Sequence, residues 1–304
     1  MKAVLRSSEK RVKAINISCC ENPLLDDQQL IVQMNISYPI LSPLSTHAAS
    51  APCALAVMIK APRAGAVKTR LVPPLSPEEA AALSVCFLRD TTANIAEVAS
   101  AGVADGVAVY TPVGAETVFA GLLPPSFSLL AQRGESFGDR LFHAAEDLSA
   151  VGYQSFCLID SDSPTLPRAL IEMAVAALAR PGDRVVLGAA EDGGYYLIGL
   201  KRPHRRLFTD VEWSTAKVLR QTIERAAEIE LEAELLPAWY DVDDALTLSQ
   251  LLDEMFSPNG ARKSLNGLVG YEASHTRDYL ARLIETEGRA RVWPETARSE
   301  GAAK

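Results

Sequence analysis

The chain has 304 residues, 48% of them hydrophobic and 22% charged, and a formal net charge of -8. That is the composition of a soluble globular protein of one large or two small domains, and its acidic balance excludes a general nucleic-acid-binding surface, so any phosphate site must be local. The 5 cysteines are scattered without metal-ligand spacing, no apolar run reaches bilayer length, and the amino terminus lacks the apolar core of a signal peptide; a reducing cytoplasm is the expected compartment.

Residues 1–52 have weak periodicity, turn rich in Ser, Pro, Thr and Ala toward their end, and read as a poorly ordered extension with one short element near residues 29–36. Order begins at Cys53-Ala-Leu-Ala-Val-Met-Ile59, a continuous apolar run typical of a central parallel strand. A loop with Lys60, Arg63, Lys68 and Arg70 follows. Ser76-Pro77-Glu78-Glu79 then marks a helix start, with Ser as cap, Pro at the first position and acids in the first turn. Strands are predicted at 106–110, 128–131, 156–159, 184–187, 195–200 and 230–235, and helices at 139–148, 168–179, 214–227 and 243–255. Strands alternating with helices predict a three-layer α/β sheet over residues 53–256. Residues 257–304 read as a polar tail with a possible amphipathic helix at 275–287 and a disordered end from Glu295.

Three loops carry chemistry. Leu158-Ile159-Asp160-Ser161-Asp162-Ser163-Pro164 ends a buried strand in two carboxylates, at the sheet edge where open α/β folds bind ligands; the pattern suits either a hard divalent cation or a turn that caps the next helix. Lys60-Ala-Pro-Arg-Ala-Gly65-Ala-Val-Lys68-Thr-Arg70-Leu71 sits between strand and helix, where amides and cations can converge on phosphates. It is not a Walker loop, because Val67 precedes Lys68 and Pro73 and Pro74 delay the helix. Trp239-Tyr240-Asp241-Val242-Asp243-Asp244 is a second carboxylate cluster, one of whose aspartates is expected to cap a helix.

Two further stretches add weaker signals. Gln132-Arg-Gly134-Glu-Ser-Phe-Gly138-Asp-Arg140 puts glycines and Arg140 at a helix start, within reach of a phosphate, though Asp139 and Arg140 could equally decorate a helix end. In Glu191-Asp192-Gly193-Gly194-Tyr195-Tyr196, Asp192 could serve as a general base or hold a sugar hydroxyl, and a tyrosine could stack on a ring. No histidine has a partner at ligand spacing, and no Gly-x-Ser-x-Gly occurs, which disfavours zinc and serine hydrolases.

Taken together, Lys60-Ala-Pro, Gly65, Lys68-Thr-Arg-Leu71, Gly138-Asp-Arg140, Asp160-Ser-Asp-Ser-Pro164, Asp192-Gly-Gly-Tyr-Tyr-Leu-Ile-Gly199, Trp213-Ser-Thr215 and Asp241-Val-Asp-Asp244 resemble the GT-A-type transferases associated with radical-SAM and selenodomain proteins, also called arsenosugar-biosynthesis glycosyltransferases. The basic loop is also similar to that of phospholactate guanylyltransferases. The resemblance covers about residues 54–252 and implies a Rossmann-like, mixed but mostly parallel sheet of the nucleotide-diphospho-sugar transferase type. It implies a glycosyltransferase that uses a nucleotide sugar, Mg²⁺ or Mn²⁺ and a small-molecule acceptor. A nucleotidyltransferase that joins an NTP to a phosphorylated metabolite is the alternative, and a non-catalytic nucleotide sensor ranks third.

On that reading Lys60, Gly65, Lys68, Arg70, Gly138 and Arg140 bind nucleotide and phosphate, and Asp162 and Asp243 hold metal with Asp160 or Asp241. Gly193, Gly194, Tyr195 and Trp213 line the substrate, while Asp192 and Asp243 are the catalytic carboxylates. Asp162 matches the family aspartate and Asp160 is an addition.

Overall fold

The structure, a computed structural model, describes residues 38–43, 49–257, 264–265 and 267–293. Among these, one mixed sheet holds β1 (Ile40–Leu41), β2 (Cys53–Lys60), β3 (Ala104–Thr111), β4 (Ser128–Ala131), β5 (Ser155–Ile159), β6 (Arg184–Ala190), β7 (Tyr195–Leu200) and β8 (Glu232–Trp239). Their spatial order is β1-β4-β3-β2-β5-β7-β6-β8, and every neighbouring pair is parallel except those of β7 with β5 and β6.

Helices cover both faces. On one side lie α1 (Pro77–Ala99), α3 (Arg168–Ala179), α5 (Ala245–Phe256) and α6 (Ser274–Glu287); on the other, α2 (Phe137–Val151) and α4 (Val218–Glu228). A short helix α7 (Arg289–Val292) follows α6. The unbroken apolar run of β2 now has its cause. Leu55, Val57 and Ile59 enter the core beneath α1 and α3, while Ala54 and Ala56 enter the core beneath α2. A strand covered on both faces has no position at which a polar side chain reaches water. Each fully buried leucine or phenylalanine in these cores, such as Leu83 and Phe87 of α1, contributes roughly 1.5–3 kcal/mol.

Helix starts follow the residues that signalled them. Ser76 caps α1 in a closed capping box, its hydroxyl accepting from Glu79 N at 3.2 Å while its own N–H donates to Glu79 Oε2 at 2.7 Å. Asp244 caps α5 in the same way with Thr247, so α5 begins at Ala245, two residues after the predicted start. Helix α4 begins at Val218 rather than 214, because Ser214 has a positive φ of 61° and Leu219 N donates to Gly193 O at 2.9 Å, which ties the preceding segment to the β6–β7 turn.

The folded body takes in residues on both sides of 53–256. Ile40–Leu41, from the expected extension, adds a parallel strand beside β4. Helix α6, from the expected tail, buries Leu280 and Leu283 against α1 and is capped across the interface by Asp90, which accepts from His275 N at 3.0 Å and Thr276 N at 2.8 Å. Arg291 pairs with Glu79 at the other end of α6. Most of the expected extension, including the element near residues 29–36, and the tail end from Glu295 lie outside the described residues. No described helix is long and apolar enough to cross a membrane.

The topology sets one edge apart. β2, β3, β4, β5, β6 and β8 end there, and β7, which runs the other way, begins there. All the chemistry-bearing loops therefore share the carboxyl edge of the parallel strands, the customary place for a ligand in such sheets.

Candidate active site

Two adjoining cavities, of about 370 and 270 Å³, open along that edge. Met58, Phe137, Ser161, Asp162 and Asp243 border both. They differ sharply in charge. Lys60, Lys68, Arg70 and Arg140 line the first, whereas the charged residues of the second are all acids: Asp160, Asp162, Asp192, Asp241 and Asp243. A basic chamber and an acidic chamber thus meet at Asp162 and Asp243.

At the junction sits the Lys68 ammonium. It lies 2.8 Å from Asp162 Oδ1 and 2.9 Å from Asp243 Oδ1, and donates to Val242 O at 2.8 Å. Its three protons are matched by three oxygens, and the side chain is 5% exposed. Burial alone would lower the Lys68 pKa, but Asp162 and Asp243 overcome that effect and hold it above its ordinary value. The two aspartate loops are stitched together by Val242 N donating to Asp162 O at 2.9 Å. Arg70, largely exposed, approaches Asp243 Oδ2 at 4.0 Å. Sequence reading gave Lys68 to phosphate; the structure points it between the carboxylates instead, because they offer a desolvated ammonium its nearest counter-charge.

The remaining aspartates stand apart from that point. Asp160 accepts from Ser163 Oγ at 2.9 Å and from Asp162 N at 3.3 Å, so it braces its own loop. Burial first, then Asp162 and Asp241, push its pKa well up. Asp241 is pushed up to about 6 by burial, then by Asp192, Asp243 and Asp162. Among the described residues no group of three or more His, Cys, Asp or Glu side chains is set to hold a metal. The convergent oxygens are two carboxylates and one backbone carbonyl. That is a hard-oxygen donor set of the kind Mg²⁺ and Mn²⁺ prefer, and the Lys68 ammonium already stands there as a cation.

Other expected site residues divide. Lys60 borders the basic cavity with its ammonium on Ala66 O at 2.9 Å, and Arg140 borders it with one nitrogen on Glu135 O at 3.1 Å. The buried Nε of Arg140 has no hydrogen-bond partner among the described residues. Asp192, Gly194, Tyr195 and Trp213 border the acidic cavity. Three glycines play structural parts. Gly65 has a φ of 72° on an exposed turn that borders neither cavity. Gly138 is buried, and a Cβ there would come within 2.7 Å of Phe208 O and Trp213 Nε1, so it lets α2 pack under the tryptophan. Gly193, at φ 92°, leaves room for the Ala216 carbonyl.

The sequence reading missed two contributors. Phe137, 48% exposed, stands between the chambers with Trp213 edge-on to it at 5.2 Å, and Tyr195 meets the same tryptophan at 6.4 Å. Its place inside the Gly134–Arg140 stretch was the available signal. Gln132 uses one amide to bind Ile59 O at 3.1 Å and Val109 O at 2.8 Å, pinning the ends of β2 and β3.

Residues 94–215 match a family described as uncharacterized protein conserved in bacteria, DUF2064. The chain is also similar to a provisionally assigned nucleotide-diphospho-sugar transferase of Desulfovibrio desulfuricans G20, at 28% identity and a TM-score of 0.66, over 80% of this chain and 97% of that one. A cytidylyltransferase from Leptospira borgpetersenii serovar Hardjo-bovis is similar at 8% identity and TM-score 0.44, over 80% and 98% of the two chains. Glucosyl-3-phosphoglycerate synthase from Mycobacterium tuberculosis, in complex with Mn²⁺, uridine diphosphate and phosphoglyceric acid, is similar at 12% identity and TM-score 0.41, over 80% and 78%. At their distance these two say nothing about the reaction here. No curated protein matches the chain.

Proposed function

We propose that the protein is a divalent-metal-dependent transferase that moves a glycosyl group from a nucleoside-diphosphate sugar to a small acceptor without a phosphate group. The observation that carries this reading is the junction itself: two carboxylates converge on one cation where a basic chamber meets an acidic, aromatic one. The similarity to the Desulfovibrio nucleotide-diphospho-sugar transferase supports it. The finer kinship with radical-SAM-associated transferases is supported by the sequence motifs.

In this reading Lys60, Arg70 and Arg140 hold the donor's phosphates along the basic chamber. Asp162, Asp243 and the Val242 carbonyl would hold the metal, which when bound supplies positive charge against the departing diphosphate. Phe137, Tyr195 and Trp213 form an apolar wall on which a sugar ring can lie and which keeps water from its face. Asp192 is positioned by Gly194 N, which donates to its Oδ1 at 2.8 Å, and borders the same chamber as a candidate base for the acceptor hydroxyl.

Nucleotidyl transfer is the second reading, favoured by the crowding of cations in the basic chamber, which suits a triphosphate. The acidic chamber weighs against it. An acceptor phosphate placed there would face Asp192 and Asp241 with no cationic side chain in the lining to offset their charge. Incubation with Mg²⁺ or Mn²⁺ and panels of nucleoside-diphosphate sugars and NTPs should release nucleoside diphosphate. Pyrophosphate release from an NTP, with no turnover of any nucleoside-diphosphate sugar, would replace the first reading by the second.

A further inference from the structure

We propose that Lys68 is a tethered cation that fills the divalent-metal seat in the nucleotide-free protein, and that the donor's phosphates draw it out before the metal is held. The inference rests on the transferase reading above. Three oxygens define the seat, and Lys68 Nζ engages all three at 2.8–2.9 Å. An ion that used Asp162 Oδ1, Asp243 Oδ1 and Val242 O would have to occupy the same point. Two cations cannot share it, because no carboxylate lies between them to offset their repulsion.

The seal is tight. With 5% of its side chain exposed, the Lys68 ammonium is shielded from solvent, and an ion can reach the same three oxygens only by displacing it. It serves the free protein by pairing two carboxylates that would otherwise face each other uncompensated. Leaving the seat without a new partner would strand a desolvated ammonium, so a metal arriving alone competes at a disadvantage.

Phosphate removes the disadvantage. Lys68 borders the basic chamber as well as the junction, with Thr69 and Arg70 beside it along the same wall. Its backbone has a positive φ of 48° at the entry to the single turn Thr69–Leu71, a conformation strained for a non-glycine residue, and the buried ion pairs hold it there. A diphosphate in the basic chamber gives the ammonium an alternative counter-charge and frees the oxygens for metal. Nucleotide and metal are then linked binders: each raises the other's affinity by the same factor.

The test reads metal binding rather than turnover. Mn²⁺ is titrated into the metal-free full-length protein and into Lys68→Met, which nearly keeps volume and loses charge, and free Mn²⁺ is followed by electron paramagnetic resonance. Lys68→Met should bind Mn²⁺ alone at least about tenfold more tightly than wild type. In parallel, wild-type lysines are trace-acetylated and read by mass spectrometry, which needs no variant to fold. Lys68 should be protected in the free protein and become reactive at saturating Mn²⁺, with Lys201 as internal reference. Equal Mn²⁺ affinity of the two proteins, or Lys68 acetylation unchanged at saturation, overturns the displacement and leaves the metal seat standing. No Mn²⁺ binding by either protein, with or without a panel of nucleoside diphosphates, removes the seat itself and the metal-dependent reading with it.

Discussion

Lys68 and Asp243, 175 residues apart in sequence, meet at 2.9 Å and join the loop after β2 to the loop after β8. Asp162 closes the arrangement from the loop after β5. One buried ammonium therefore fixes three loops that come from strands on both sides of the sheet's centre. The cleft is built around charge pairing, and its substitutions should read out as charge effects.

Asp162→Asn tests the seat directly. The amide keeps the side chain's shape and one oxygen, and Lys68 keeps Asp243 and the Val242 carbonyl. The fold should persist, with a stability loss of about 1 kcal/mol. Metal-dependent turnover of the donor should fall on the order of 100-fold or more, because the residue would hold a cation that acts on the departing phosphate. Wild-type activity in this variant would remove Asp162 from the site.

Asp241 predicts a pH dependence. Its folded pKa is raised to about 6, above the ordinary aspartate value, so the folded chain binds that proton more tightly than the unfolded chain. The associated stability is fully present below about pH 4, the unfolded value, and is lost progressively as pH rises through about 6. In metal-free protein at pH 7, Asp241→Asn should therefore stabilise the fold, by roughly 1–3 kcal/mol. Urea midpoints at pH 5 and pH 7.5, with chelator present, should show a larger advantage for the variant at the higher pH. An equal advantage at both values would contradict the assignment.

The order of strands and helices was legible because each leaves a local trace: apolar runs for strands covered on both faces, Ser76-Pro77 and Asp244 for helix starts. The basic and acidic loops were legible because they follow strands. The role of Lys68 was hidden for a physical reason. Lysine on a basic loop reads as a phosphate ligand, and nothing local says that carboxylates from two distant loops will reach it first. Val242 contributes through its carbonyl, which carries no side-chain signature. The glycines misled in the opposite sense: Gly138 and Gly193 looked like room for a ligand and are room for Trp213 and Ala216. Trp239 and Tyr240, beside the second aspartate cluster, are core residues at 0% and 1% exposure.

Gly193→Ala follows from that last contrast. A Cβ there would overlap the Ala216 carbonyl, and φ is 92°, where alanine is strained. The segment from Trp213 to Lys217 must move, and the Leu219 N–H bond to Gly193 O goes with it. A loss of about 2 kcal/mol or more is expected, together with weaker donor binding as Trp213 shifts. A melting temperature within a degree of wild type would show that the turn relaxes freely.

Asp90→Ala addresses the carboxyl-terminal helix. Asp90 is buried on α1 and receives two N–H groups from the first turn of α6. Its removal leaves those donors without their partner and takes a negative charge from a helix amino terminus. The cost should be about 1–3 kcal/mol, and amide exchange should accelerate first in residues 274–287. Uniform acceleration across the sheet would mean that α6 does not open separately.

Asp192→Asn separates the chemistry from the metal. The amide can still accept from Gly194 N, so the β6–β7 turn should survive, and Asp192 takes no part in the contacts around Lys68. Affinities for Mn²⁺ and for the donor should stay within about twofold of wild type. Removal of the carboxylate that borders the acceptor chamber should lower kcat by about 100-fold to 10,000-fold, the range of a lost general base. A variant with wild-type kcat would assign Asp192 to the turn alone. A variant that lost Mn²⁺ binding would place it in the metal seat, against the geometry that sets it apart from Asp162 and Asp243.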